Sequence, residues 1–366
     1  MGEYFIGLMS GTSLDGIDAV LAEVSAQAFA LRERHYTPFP HELRQRLARY
    51  CFAATVPTQV LGQLDAELGE LFGRCALALL EKAKILPRQV RAIGSHGQTL
   101  HHHPQGVYPY TLQIGDPNRI AEITGITVVA DFRRRDLAAG GQGAPLVPAF
   151  HKAVFSSPEE NRAVLNLGGI ANLTLLPKDL RHPVTGFDTG PGNTLLDRWT
   201  DRHLGRPWDE GGQWARAGKA VPELLEALLA DPYFRLPPPK STGPEYFSLA
   251  WLEEKLQGFR IPPQNVQATL AHLTAASVAS SLKSARPDRL LVCGGGAHNR
   301  YLLELLAAYC GCPVETTASY GLDPDWVEAS AFAWLAWRTL EGLPGNLPAV
   351  TGARREVILG GIYPAG

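Results

Sequence analysis

The sequence is short of charge, of cysteine and of long apolar runs, and each shortage excludes something. Only 19% of its 366 residues are charged, and Lys+Arg 34 against Asp+Glu 36 leaves a net charge of −2. A balance so close to neutral excludes a broad basic face for nucleic acid or anionic lipid. Cysteines number five, an odd count: Cys51, Cys75, Cys293, Cys310 and Cys312. They fit reduced thiols better than a disulfide framework. Cys310 and Cys312 form a C-x-C pair with no second pair to complete a tetrahedral zinc site, so no metal ligand set is expected. There is no run of ~18 apolar residues. Residues 1–6 carry no basic stretch ahead of an apolar one, so neither a membrane span nor a signal peptide is expected, and the expected compartment is the cytoplasm. Both common nucleotide signatures are incomplete. The Gly218-Lys219 pair runs into Ala220, and 190–193 and 294–299 each lack the third glycine of G-x-G-x-x-G. A P-loop NTPase and a standard dinucleotide enzyme are thereby disfavoured.

Turn formers are in excess, with 37 glycines and 28 prolines in a chain that is 45% apolar. Many short elements joined by tight loops follow, and the length predicts about two domains. Apolar runs at 4–9 and 17–24 flank a small-residue turn at 10–16, a strand–turn–strand pattern. Leucines at helical spacing predict a helix over 59–84, and short strands follow at 90–95, 111–114 and 126–130. The opening pattern returns half a chain later as 163–167, Gly168-Gly169 and 170–176. A helix over 222–229, a proline-rich loop over 236–243, a long helix over 266–283 and a strand over 289–293 come next. The last leads into Gly294-Gly295-Gly296, and 323–338 returns to helix. The chain reads as α/β, with two related lobes over 1–132 and 133–366, each opening on a β-hairpin, and a cleft between them.

Four small-residue turns follow apolar strands. Glycine lets successive backbone N–H groups converge on an anion, and hydroxyls add donors. The first turn offers Gly11, Thr12, Ser13, Leu14, Asp15, Gly16, Ile17 and Asp18. The others offer Gly168, Gly169 and Asn172, then Gly190, Gly192 and Asn193, then Gly294, Gly295, Gly296 and Asn299. Tight hairpins use the same residue types, but four such turns, shared between two halves, point to a nucleotide whose phosphates are gripped from both lobes.

Asp188 stands beside one of these turns, ahead of a helical pattern at 194–199. Two readings are open: a general base near the phosphate donors, or a helix cap accepting from the Thr189 and Gly190 amides. The histidine-rich stretch 96–103 tempts a metal reading, but consecutive histidines on an extended segment cannot all face one ion. It reads as a polar loop at a strand end, with His96 best placed to touch a substrate. Of Arg133, Arg134 and Arg135, one can bind an anionic group. Glu328 interrupts an apolar helix, either for the helix dipole or because it faces a site.

With these residues in view, the sequence resembles the anhydro-N-acetylmuramic acid kinases, two-lobed members of the actin and sugar-kinase superfamily with ribonuclease H-like lobes. The resemblance runs nearly end to end. It is carried by G-L-M-S-G-T-S-L-D-G-I-D at 7–18, G-S-H-G-Q-T at 94–99, A-D-F-R at 130–133 and G-G-Q-G-A-P-L-V-P at 140–148. N-L-G-G-I-A-N at 166–172, F-D-T-G-P-G-N at 187–193, K-S-T-G at 240–243, G-G-G-A-x-N at 294–299, E-A at 328–329 and N-L-P-x-V-T-G-A at 346–353 complete it. It implies an enzyme that uses ATP with Mg²⁺, opens the anhydro bridge of 1,6-anhydro-N-acetylmuramic acid with water and phosphorylates the freed O6. The products would be N-acetylmuramic acid 6-phosphate and ADP, within cell-wall recycling. It also implies ATP binding at 11–18, a base at Asp188, substrate contacts at His96, Arg133 and Glu328, and a homodimer. An ATPase or filament-forming protein of the same superfamily is the alternative.

Overall fold

The computed structural model describes residues 2–238 and 240–366. Pro239, inside the proline-rich loop expected at 236–243, and Met1 lie outside the described residues. The chain divides into two compact units, Met1–Val154 with Trp326–Gly366, and Phe155–Asp325.

The first unit is built on β1 (Glu3–Ser10), β2 (Gly16–Val24), β3 (Phe29–Pro38), β4 (Val90–His103), β5 (Tyr110–Ile114) and β6 (Val128–Ala130). The second carries β7 (Arg162–Leu167), β8 (Ile170–Leu176), β9 (Thr185–Pro191), β10 (Arg289–Cys293) and β11 (Val314–Thr316), and β12 (Gly361–Tyr363) returns to the first. The first sheet runs β12-β6-β4-β1-β2-β3, with β5 paired to β4; the second runs β11-β10-β7-β8-β9. In each, three antiparallel strands form a meander, and the first of them is flanked on its other side by two parallel strands. This shared order is the ribonuclease H-like arrangement. The two halves are related, as the repeated opening pattern implies, but each opens on three strands rather than two.

In the first unit, helices Thr58–Ala83 and Pro117–Thr124 cover one face of the sheet, where Leu64, Leu68 and Phe72 pack on Ile6, Leu8 and Ile93. The helix Val327–Leu340 covers the other. It is buried around nearly its whole circumference, consistent with its lack of a polar face. Its approach is close. A Cβ added at Gly7 in β1 would overlap the Ala329 carbonyl, and one at Gly94 in β4 would overlap the Phe332 carbonyl.

Three sequence expectations change. The 96–103 stretch is strand, not loop, because β4 continues to His103 as a ribbon paired with β5. Residues 133–154 and 326–366 belong with the first unit rather than with a lobe starting at 133. The helix Val327–Leu340 packs on β1, β2 and β4, and β12 pairs with β6, which draws the C-terminal segment back to the first sheet. β3 and β9 were not expected as strands; β3 is half-exposed and rich in charge along its length.

Candidate active site

The functional side chains gather in two constellations, one per unit. In the first unit, β4 places His96 against the helix Val327–Leu340, its ring 4.8 Å from that of Phe332. The imidazole is buried. Its Nδ1–H donates to the Gly97 carbonyl at 2.8 Å, which leaves Nε2 as an acceptor. Arg133 donates to that nitrogen from Nε at 3.1 Å and from Nη2 at 2.9 Å. Burial, helped by the guanidinium charge, brings the His96 pKa down to about 3, so the ring stays neutral. Arg133 also donates from Nη1 to the Gly143 carbonyl at 2.8 Å. Burial brings its own pKa down to about 10, against the opposing pull of Glu328 and Asp136.

Glu328 lies in the first turn of its helix, where the dipole reading places it, and is within electrostatic reach of Arg133. Burial raises its pKa, and Arg133 opposes the rise. Of the three arginines, Arg133 is the one drawn to His96; Arg134 pairs with Asp131 at 3.2 Å, and Arg135 is exposed.

Asp136 supports this group and was not singled out in the sequence. Fully buried, it accepts from the Gly143 N–H at 2.8 Å, Asn346 Nδ2 at 2.7 Å and the Thr351 hydroxyl at 2.8 Å. Three donors satisfy a carboxylate that would otherwise be costly to bury. They fix the 140–145 loop, and with it the carbonyl that Arg133 binds. The motifs at 140–148 and 346–353 thus meet at one carboxylate.

The 10–16 turn is tied down at its start, where Ser10 Oγ donates to Gln98 Oε1 at 2.6 Å. Thr12 and Ser13 are exposed and free of the core, Leu14 adopts φ 57°, and Asp15 accepts from Arg44 at 2.8 Å. Ile17 is packed in the core, so only its main chain faces the turn. Asp18 lies opposite Met9 in the β1–β2 register.

In the second unit, Asp188 sits on β9 opposite Asn172 of β8. Asn172 Nδ2 donates to Oδ1 at 2.7 Å, and the Thr242 N–H donates to Oδ2 at 2.9 Å. Its main chain is held as well: the N–H donates to the Lys240 carbonyl at 3.1 Å, and the carbonyl accepts from the Tyr233 hydroxyl at 2.9 Å. Burial raises the Asp188 pKa, while Asn172, Thr242 and the Lys240 charge lower it. The helix-cap reading falls: the following helix, Thr194–Leu204, starts beyond Asn193, and Asp188 accepts from β8 and from the 240–242 segment instead.

The glycine turns of this unit converge. The Gly192, Asn193 and Thr194 N–H groups donate to the Gly168 and Gly169 carbonyls. Gly294, at φ 78°, lies where a Cβ would overlap Asn166 Oδ1, and a Cβ at Gly296 would crowd Leu167. Gly190 packs under the Phe234 ring near Asp188. Next to them is a cavity of about 900 Å³ lined by Asn193, Gly295, Gly296 and Asn299, together with Asp197 and Trp208, which the sequence did not single out. Its size lies at the upper end of the usual ligand range of ~300–1,000 Å³. Burial and the neighbouring Asp209 raise the Asp197 pKa to about 7. Trp208 is 60% exposed, an aromatic side chain at the cavity wall.

A family model described as anhydro-N-acetylmuramic acid kinase matches residues 3–365. Relatives named anhydro-N-acetylmuramic acid kinase in Coxiella burnetii, strains Dugway 5J108-111 and RSA 493 / Nine Mile phase I, are each 52% identical over 364 residues. The alignment covers 99% of this chain and 97% of theirs. Among solved structures, the activator of the 2-hydroxyisocaproyl-CoA dehydratase from Clostridium difficile aligns at TM-score 0.45 with 13% identity, over 92% of this chain and 96% of its own. On the end-to-end family match and the identity to these relatives, the chain belongs to the anhydro-N-acetylmuramic acid kinase family.

Proposed function

We propose that the protein is an ATP-dependent sugar kinase that opens 1,6-anhydro-N-acetylmuramic acid with water and phosphorylates the freed O6, with Asp188 as the base. The observation that carries the role of Asp188 is its restraint: both carboxylate oxygens and both main-chain polar groups are fixed, in a setting that raises its pKa. A carboxylate has about four lone-pair sites, so two remain for a water. The bridging O6 of the anhydro sugar carries no proton, and the group to be deprotonated is therefore water. Asp188 takes the proton as the water oxygen bonds to C1, the C1–O6 bond breaks, and O6 attacks the γ-phosphorus to release ADP.

His96 and Arg133 are assigned to the sugar, with Glu328. The guanidinium, pinned by the Gly143 carbonyl and by the neutral His96 ring, keeps its remaining N–H groups at a fixed position for the sugar. The converging turns 168–169, 190–193 and 294–296 and the cavity with Trp208 are assigned to ATP, and the exposed Thr12 and Ser13 hydroxyls of the 11–18 segment to its phosphates.

Mg²⁺ would supply charge neutralisation on the phosphates. Among the described residues no group of three His, Cys, Asp or Glu side chains could hold an ion alone. Mg²⁺ brought by a triphosphate would keep several waters and need only one or two carboxylates from the protein. Asp18, beside the 10–16 turn, is the carboxylate assigned to it. Among the described residues no helix is long and apolar enough to cross a membrane. A homodimer in the cytoplasm, within peptidoglycan recycling, completes the reading.

Asp188→Asn tests it. ADP release in the presence of the anhydro sugar should fall by about 10²–10⁴-fold, while the nucleotide dissociation constant stays within a factor of two or so of wild type. In ¹⁸O-labelled water the label should enter the anomeric oxygen of the product. A near wild-type rate for the variant, or unlabelled product, removes Asp188 or water from the mechanism. ATP hydrolysis indifferent to the sugar would favour the ATPase or filament alternative.

A further inference from the structure

The first unit holds a second cavity, of about 250 Å³, that the kinase chemistry leaves unused. Its walls are Ser95 of β4, Gln113 of β5, Asp131 just after β6, Arg134, Asp65 of the helix Thr58–Ala83 and Tyr363 of β12. Strand alternation puts it behind the substrate residues. Gly94 and His96 face the helix Val327–Leu340, as the crowding of Gly94 by Phe332 and the His96–Phe332 ring contact show. Ile93 faces the helix Thr58–Ala83 instead, and Ser95 shares its side of the pleat. His96 adjoins both sites, closing the edge of this cavity.

Ser95 is 1% exposed, and its hydroxyl has no hydrogen-bond partner. Leaving a buried hydroxyl unpaired costs about 1–3 kcal/mol, so the atom is poised for a ligand group. The other walls are rich in acceptors. Asp65 spends Oδ1 on the Gly115 N–H at 2.7 Å and keeps its second oxygen. Gln113 lines the space and spends Nε2 on Thr99 and Thr111, which leaves its carbonyl oxygen as an open acceptor. Arg134 is already paired with Asp131, so Asp65 leaves the walls with an unbalanced negative charge. The Tyr363 ring adds a flat apolar face. Acceptors, an excess acid and an aromatic face suit a ligand with several O–H or N–H donors and no negative charge. A volume just under the ~300 Å³ floor of the usual ligand range excludes a nucleotide and admits one sugar ring.

We propose that this cavity is a second binding site, for an uncharged, hydroxyl-rich ring of monosaccharide size, separate from the site of His96, Arg133 and Glu328. The proposal does not depend on the kinase reading, and its test uses binding alone. N-acetylglucosamine, and glucuronic acid as the probe that adds a carboxylate, are titrated calorimetrically into the full-length wild-type protein and into Ser95→Val, Asp65→Asn and Arg133→Met. N-acetylglucosamine should saturate the wild type with a dissociation constant in the millimolar range. It should bind Arg133→Met equally well, and Ser95→Val and Asp65→Asn at least about tenfold more weakly. Glucuronic acid should bind wild type at least about tenfold more weakly than N-acetylglucosamine. Thermal melts report whether each variant is folded, and Ser95→Ala, which adds no atoms, replaces Ser95→Val if that variant melts early. No saturable heat in the wild type overturns the site. So does loss of binding in Arg133→Met with retention in the Ser95 variant, which would place the sugar at the substrate residues, and so does equal binding by every folded variant.

Discussion

Asp188 has a raised pKa despite three influences that lower it, and the Lys240 ammonium is the only full charge among them. Lys240 lies over the Tyr233 ring at 4.6 Å and donates to the Tyr233 carbonyl at 3.3 Å, while Tyr233 itself holds the Asp188 carbonyl. A base works only when deprotonated, so kcat/KM should rise with pH through the raised Asp188 pKa and level off above it. Lys240→Met removes a lowering influence, which pushes that pKa further up. The acidic limb of the profile should then move to higher pH by as much as about one unit, and Lys240→Arg should restore it. A merely structural role for Lys240 would lower the rate at every pH and leave the limb in place. At this scale the sequence was informative where a residue type is chemically unusual for its surroundings: a carboxylate among glycines, an acid in an apolar helix, an arginine after a strand. It was silent on Asp136, whose donors at 346 and 351 are distant in the chain, and on Tyr233, which binds a main-chain oxygen. Neither kind of partnership leaves a local pattern.

The helix Val327–Leu340 shows how an element turns packing into site geometry. Glu328 is in its first turn, and Phe332 packs against His96 one turn further on, so the helix has to lie at a set distance from β1 and β4. Gly7 and Gly94 permit that distance, since a side chain at either would meet helix backbone, which cannot swing aside as a flexible side chain can. Gly7→Ala should therefore cost about 3 kcal/mol of stability, read as a lower urea midpoint with an unchanged slope. Because the helix also carries Glu328, the residue proposed to contact the sugar, the KM for the anhydro sugar should rise more than the KM for ATP. Equal stability for the variant would mean that the helix slides without penalty and that its position is not set by these glycines. Elements with strong period were legible in the sequence, the helix Thr58–Ala83 and strands β1, β2, β7, β8 and β10 among them. The 96–103 stretch was not, because its histidines look like a polar loop until β5 is placed beside it. β3 and β9 were hidden for related reasons, one being rich in charge and the other interrupted by glycine and proline.

At the scale of the whole chain, the order of elements does not reveal which sheet a late helix will cover, and the expected boundary at 132/133 fails for that reason. The second unit is continuous over 155–325, with its own five-stranded sheet and a core from Ala163 to Leu306. The first is discontinuous. Without 326–366 its sheet loses the helix on one face and the edge strand β12, which would expose Phe5, Ala92 and their neighbours to water. A fragment of residues 155–325 should then unfold cooperatively in urea as an independent domain. It should also bind ATP if the proposed assignment of the nucleotide to the cavity with Trp208 and the converging glycine turns holds, since both lie within it. A fragment of residues 1–154 should fail to fold cooperatively and should aggregate through its uncovered sheet face. Joining 326–366 to it through a flexible linker should restore a single transition. Cooperative folding of 1–154 alone would show that the helix Val327–Leu340 docks onto an already stable sheet. Glu328 would then be carried by an element that can leave without unfolding the rest, and urea should reduce sugar turnover before it unfolds the sheet.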